Sequence, residues 1–315
     1  MFREQLNKWG KEGRPFVFLI DFEQNKPKAW PIDECPESFK YNFNGLTNVN
    51  NKINGIKGFK FSKTIIEKGH YQSKFERVKD HLHHGNSYLV NLTVSNQLET
   101  DLSLEDIFHN SVSKYKVWLK NEFVCFSPES FVQIKNNRIC TFPMKGTINA
   151  EIEGARERIL ADKKEQAEHA TIVDLLRNDL SKVATNVMVN KYRYYEVINS
   201  NSKNLGQVSS EICGILPDNF ESAIGDIIWE LLPAGSISGA PKKKTVQIIQ
   251  EVEGMERGYY TGIAGYFDGE NLDSCILIRY IDQNYFYKSG GGITYLSSME
   301  EEYQELIDKI YVPIY

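Results

Sequence analysis

The sequence is poor in cysteine, with five in 315 residues: Cys35, Cys125, Cys140, Cys213 and Cys275. They are far apart, odd in number, and form no Cys-x-x-Cys or Cys/His cluster, which argues against a zinc site and reads as reduced thiols in a cytosolic core. No segment approaches the roughly 18 apolar residues of a membrane span, and Met1-Phe2-Arg3-Glu4-Gln5 opens no signal-peptide apolar core. There is no excess of basic charge either: 37 Lys and Arg stand against 42 Asp and Glu, for a net charge of −5. No field therefore favours nucleic acid or an anionic membrane, and any anionic ligand has to be captured locally. Internal repeats, low-complexity segments and Pro/Ser linkers are absent too. A cytoplasmic protein is expected, and with 41% hydrophobic residues it can bury a large core, as one large domain or two intimately packed lobes.

What is present comes in blocks. Residues 1 to about 60 read as an antiparallel start, with Pro15 to Phe22 as a buried strand, a turn at Asn25-Lys26-Pro27, and a loop from Asn42 to Gly58. Tyr71, Phe75, Val78 and Leu82 recur at helical spacing, and His81, His83 and His84 fall at the solvated end of that helix. A strand from Tyr88 to Val94 and a short helix from Ser103 follow. Phe123 to Ile134 reads as strands broken at Ser127-Pro128-Glu129, so Glu129 projects from a break in a sheet. Arg156 to Val183 reads as one long helix, free of Gly and Pro. Asp218 to Glu221 has capping-box form ahead of an amphipathic stripe, and Pro233 to Pro241 is a small-residue loop leading into a further helix. The C-terminal third reads as a β-meander closing on a glycine turn, Gly290-Gly291-Gly292, and a last helix from about Ser298 to Tyr311. Blocks of strands and helices, rather than strict alternation, argue for an α+β architecture.

Three features carry chemistry. In Pro143-Met144-Lys145-Gly146-Thr147 a lysine sits between a residue that fixes φ and one that frees it, at a strand-to-turn junction, so its ammonium is presented from a defined backbone. Taken alone, a solvated lysine is the favoured reading. Glu165 with Glu168, and Glu302 with Glu305, are i,i+3 pairs about 60° apart around their helices. Each could be a solvated acidic face; if the two pairs converge they need a hard cation, and oxygen-only ligands select Mg²⁺. Arg279 can grip a carboxylate bidentately, Tyr266 can donate a hydrogen bond, and the glycine turn can offer backbone N–H groups.

In their order along the chain these segments resemble the chorismate-utilising enzyme family. The resemblance rests on Ser127-Pro128-Glu129, Pro143 to Thr147, Glu165 to Asp179 (EQAEHATIVDLLRND), Gly235 to Lys242 (GSISGAPK), Gly262 to Tyr266, Ile276 to Arg279, Gly290 to Ile293, and Glu302 to Lys309 (EYQELIDK). It implies a layered α/β sandwich of the anthranilate synthase component I type, with two mainly antiparallel sheets and helices outside. It also implies a single chorismate-binding catalytic domain over 1–315, divergent over 1–84 and motif-bearing over 85–315. Lys145 stands where the aminodeoxychorismate branch has lysine and anthranilate synthases have alanine. Leu89 stands where isochorismate and salicylate synthases carry a water-activating lysine, and its alkyl side chain cannot act as a base.

By that resemblance, chorismate and ammonia give 4-amino-4-deoxychorismate for p-aminobenzoate and folate, with anthranilate synthesis as the alternative and a non-catalytic homologue as a second class. Lys145 is then the nucleophile and Glu129 the acid/base at the ring 4-hydroxyl. Glu168 and Glu305 bind Mg²⁺, with Glu165 and Glu302 close by. Gly146 and Thr147 hold the ring carboxylate; Tyr266, Arg279, Gly290, Gly291 and Gly292 hold the pyruvyl carboxylate; Ser236 and Lys309 line the site. Gln207 stands where the family usually has a histidine, and Phe142 where it often has arginine. Glutamine cannot shuttle a proton at neutral pH, so pyruvate elimination is expected to be weak. No glutaminase signature occurs, so ammonia is expected from solution or from a separate glutamine amidotransferase subunit.

Overall fold

The computed structural model describes residues 1–49, 56, 58–198 and 204–314. Its antiparallel strands lie in two sheets accompanied by helices, an α+β architecture. By contact density the chain divides into two compact units, one formed by Met1–Arg14, Ser130–Ser236 and Asp268–Asp273, the other by Pro15–Glu129, Ile237–Phe267 and Ser274–Tyr315.

The first unit is built on one long strand, Leu205–Ile215. Thr185–Ile198 pairs along it, and Arg138–Thr141 and Met144–Asn149 pair with successive portions of it. These two short strands form one line interrupted at Phe142-Pro143. Proline has no N–H to give the ladder, but its carbonyl still accepts from Ser210 N at 3.0 Å, so the line is broken without being lost. Ser130–Lys135 joins through a hairpin whose two central residues, Asn136 and Asn137, both have positive φ, the twist-compatible geometry that asparagine tolerates. The expected single helix over 156–183 is two: Ala155–Ala161 and Lys163–Leu180. Asp162 ends the first and caps the second, its side chain accepting from Glu165 N at 3.0 Å, a local competitor that helical composition does not reveal. The first eleven residues add an element that the sequence reading missed, a helix over Phe2–Lys11, fixed where Asn7 Oδ1 accepts from Gly225 N at 2.8 Å.

The second unit holds Phe16–Ile20 between Lys28–Pro31 and Ile263–Phe267, and a second set of strands ordered Leu89–Thr100, Phe286–Thr294, Tyr280–Asp282, Phe123–Ser127, Tyr115–Leu119 and Phe39–Phe43. Val17, Leu19 and Ala264 pack in one buried cluster with Phe39, Tyr41, Val117, Phe123 and Tyr280, which is why Phe16 to Ile20 reads as a continuous apolar run. Phe39–Phe43 is thus a strand, although 42–58 read as loop; residues 50–55 and 57 of that stretch lie outside the described ones. The expected meander is split: Ile263–Phe267 and Leu272–Ile276 belong to one sheet, Tyr280–Asp282 and Phe286–Thr294 to the other, with Arg279 at φ +55° between them.

Cys140 and Cys213 are directly opposite each other in paired strands and form a disulfide. This corrects the reading of five reduced thiols. The two are 73 residues apart, and only strand register brings them together. Cys35, Cys125 and Cys275 are outside any disulfide.

Candidate active site

The lysine lies within the strand Met144–Asn149 rather than at its end. Pairing with Leu205–Ile215 is regular at Lys145↔Val208, shifts, and resumes at Thr147↔Gln207. Gly146 is the residue in that bulge, at φ +79°. A Cβ there would stand 3.1 Å from Glu165 Oε2, so both the backbone angle and the approach of the carboxylate call for glycine. A bulge re-aims the adjacent side chain, and Lys145 Nζ meets Glu168 Oε2 at 2.5 Å. Glu168 is 4% exposed, and its other oxygen, Oε1, is buried without a hydrogen-bond partner. A buried carboxylate oxygen in that condition is suited to a cation, and an oxygen donor suits Mg²⁺.

Next to Glu168 on the same helix, His169 is buried, with Nε2 2.6 Å from Ser210 Oγ. Burial, helped by the Arg193 and Lys145 charges, pushes the imidazole down to about 4, so it is neutral at pH 7. Gln207 is buried and its amide donates to Glu196 Oε1 at 2.5 Å, while Ser209 Oγ donates to the same oxygen at 2.7 Å. The sequence reading missed Glu196 and the place of His169. Glu196 lies in a strand whose pairing could be recognised only from register, whereas His169 had a signal in its position directly after Glu168. Ser236 is in a short helical turn, Gly235–Ser238.

The remaining candidates lie in the second unit. Gly290, Gly291 and Gly292 are not a turn but three successive positions of the strand Phe286–Thr294, paired with Thr93, Leu92 and Asn91. Composition suggested a turn; the requirement is close approach. A Cβ on Gly290 would lie 2.5 Å from Leu92 O, and one on Gly291 would lie 3.2 Å from Glu302 Oε2 and 3.7 Å from Lys309 Nζ. Lys309 Nζ donates to Gly290 O at 2.9 Å and meets Glu305 Oε1 at 2.6 Å, and Ser297 Oγ donates to Glu302 Oε1 at 2.8 Å. The structure therefore brings Gly290, Gly291, Glu302, Glu305 and Lys309 into one cluster. In the helix Met299–Asp308 it is Glu302 and Leu306 that are buried, so Glu302 is on the inner face, while Glu305 is exposed.

Arg279 has a guanidinium Nε buried without a hydrogen-bond partner, and its Cζ is 5.5 Å from the Tyr311 ring centroid. Burial opposes its charge, but the Tyr287 and Tyr311 hydroxyls outweigh burial and move the guanidinium upward. Such an arginine is prepared for an anion. Tyr266 is half-buried on Ile263–Phe267, opposite Val17. Glu129 stands between Phe123–Ser127 and Ser130–Lys135, its N–H donating to Ser127 Oγ at 3.1 Å and its carbonyl accepting from Ile276 N at 3.1 Å. Among the described residues no group of three or more His, Cys, Asp or Glu side chains is gathered as a ready metal site. The acidic candidates instead hold lysines: Lys145 on Glu168, Lys309 on Glu305.

Residues 23–314 match the family model described as chorismate binding enzyme. The chain belongs to the chorismate binding enzyme family. Among the relatives, an uncharacterized PabA-like protein of Haemophilus influenzae is 50% identical over 99% of this chain and 96% of its own length. Aminodeoxychorismate synthase component 1 of Bacillus subtilis is 31% identical over 80% of this chain, which spans 56% of that protein. Among solved structures, anthranilate synthase component I of Streptococcus pneumoniae aligns with a TM-score of 0.65 at 28% identity, covering 81% of this chain and 59% of that one. The chain is thereby placed in a family of chorismate-utilising enzymes. No helix among the described residues is long and apolar enough to cross a membrane.

Proposed function

We propose that the chain is the chorismate-aminating component of an aminodeoxychorismate synthase, converting chorismate and ammonia to 4-amino-4-deoxychorismate and water. The observation that carries the proposal is Lys145: its strand bulges at Gly146, and its ammonium contacts the buried carboxylate of Glu168 at 2.5 Å. An amine so placed is held for use, since a merely solvated lysine needs neither the bulge nor a buried partner. The likeness to the Bacillus subtilis component over most of this chain adds support.

The proposed chemistry has two displacements. The neutral amine of Lys145 bonds to ring C2, both ring double bonds shift by one position, and the C4–O bond breaks. Glu129 donates the proton that lets hydroxide leave as water, then takes a proton from the alkylated amine. Ammonia next bonds to C4, both double bonds return and the C2–N bond breaks, the departing lysine nitrogen taking its proton from Glu129, which is reprotonated by the new C4 ammonium. Tyr266 and Arg279 hold the pyruvyl carboxylate; Gly146 and Thr147 lie along the ring carboxylate; Ser236 and Lys309 complete the lining. Glu168 and Glu305, assisted by Glu165 and Glu302, would hold Mg²⁺, which when bound supplies a positive charge that binds and orients a substrate carboxylate. Gln207, hydrogen-bonded to Glu196, has no proton to cycle, which favours stopping at the aminated product over eliminating pyruvate. Ammonia comes from a separate glutamine amidotransferase subunit or from solution.

Lys145→Ala tests the proposal. With chorismate, Mg²⁺ and ammonium, the variant should lose amination by at least about a hundredfold, and a peptide carrying Lys145 should yield a chorismate-derived adduct only in the unsubstituted protein. Unchanged turnover in the variant would remove the covalent role.

A further inference from the structure

Glu168 presents an unusual balance. It is 4% exposed, one carboxylate oxygen holds the Lys145 ammonium at 2.5 Å, and the other is buried with no hydrogen-bond partner. A buried carboxylate requires a cation, and here the chain supplies its own. A divalent ion on the same carboxylate would stand within a few ångströms of that ammonium, where like charges repel strongly in a weakly screened interior. In the second unit Lys309 lies 2.6 Å from Glu305, but there the carboxylate is exposed.

We propose that Lys145 and a divalent metal ion are alternative occupants of the Glu168 carboxylate, so that metal entry breaks the Lys145–Glu168 ion pair and releases the lysine for its substrate. The idea rests on the metal site of the proposed function and adds to it an order of events: the resting protein keeps its nucleophile locked on a metal ligand, and the metal is the key. Lys145 is then a competitor of the metal as well as the attacking group. The side chain is 24% exposed, so it has room to leave.

The test is metal binding by the full chain without chorismate, read by titration calorimetry or by the electron paramagnetic resonance of Mn²⁺. Lys145→Met and Lys145→Gln remove the competing charge and should each bind Mn²⁺ at least tenfold more tightly than the unsubstituted protein, with unchanged far-ultraviolet circular dichroism. Lys182→Met removes a lysine from Asp179 in the same unit, 3.1 Å away, and should leave Mn²⁺ affinity within twofold. Adding Glu168→Gln to Lys145→Met should abolish the gain. Equal or weaker binding in both Lys145 variants, an equal gain in Lys182→Met, a gain that survives Glu168→Gln, or no Mn²⁺ binding by any of the proteins would each overturn the exchange. The readout is independent of product identity, so failure of the amination proposal and failure of the exchange are distinguishable.

Discussion

Replacing Arg257 with methionine should destabilise the second unit by about 5 kcal/mol. The guanidinium is 1% exposed. It grips Glu253 through Nε to Oε2 at 3.0 Å and Nη2 to Oε1 at 2.6 Å, and donates to Asn91 O at 2.7 Å and Ile237 O at 3.0 Å. Its Cζ lies 4.6 Å from the Phe22 ring centroid, and Glu253 Oε1 also accepts from Thr93 N at 2.8 Å. The Glu253 side chain is 0% exposed, so the methionine variant strands a carboxylate with one backbone donor. Breaking a buried pair costs about 3–5 kcal/mol, and the two orphaned carbonyls place this case at the upper end. Glu253→Gln keeps an acceptor for the arginine and should cost about 3 kcal/mol. In the double variant Arg257→Met/Glu253→Gln no charge is left buried, so it should be more stable than the sum of its parts by about 4 kcal/mol. Urea unfolding followed by circular dichroism measures all three. A coupling below about 1 kcal/mol would refute the reasoning, because the pair would then be no better than a surface ion pair.

Two further predictions concern stability. Lys116 is buried, its Nζ donating to Phe108 O and Ser111 O at 2.9 Å each, and burial lowers its ammonium from about 10.5 to about 8. The unfolded chain therefore binds the proton more tightly, so the penalty is fully present below pH 8 and fades as pH rises toward 10.5. Relative to Lys116→Met, the unsubstituted protein should gain up to about 3 kcal/mol between pH 7 and pH 11, and a pH-independent difference in urea unfolding would contradict this. The Cys140–Cys213 disulfide closes a loop of 73 residues. Its reduction, or Cys140→Ser with Cys213→Ser, should lower stability by about 4 kcal/mol, and peptide mapping without reductant should recover the linked pair; two free thiols at these positions would be the contrary result.

Local pattern made much of the molecule legible. The Tyr71, Phe75, Val78 and Leu82 stripe is the buried face of a helix over Lys68–His83, and the break at Ser127-Pro128-Glu129 does separate two strands. What local pattern did not carry is register and approach. The three glycines looked like a turn because glycine serves turns; they serve a strand because Leu92 O and Glu302 Oε2 come too near for a Cβ. Arg279 divides what read as one meander, since a single residue at positive φ sends the chain from one sheet to the other without any glycine or proline to announce it. Asp162 divides what read as one helix by capping the next. In the candidate site, Lys145 and the glutamate pairs were visible as residues, whereas the Lys145–Glu168 ion pair, the Gln207–Glu196 hydrogen bond and the buried Nε of Arg279 depend on neighbours distant in sequence.

The central claim is that the chain aminates chorismate at C4 and stops there. Mass-spectrometric identification of the product, with chorismate, Mg²⁺ and ammonium supplied and no partner protein present, tests it most directly. The account predicts 4-amino-4-deoxychorismate with its pyruvyl group retained; anthranilate with released pyruvate would contradict it.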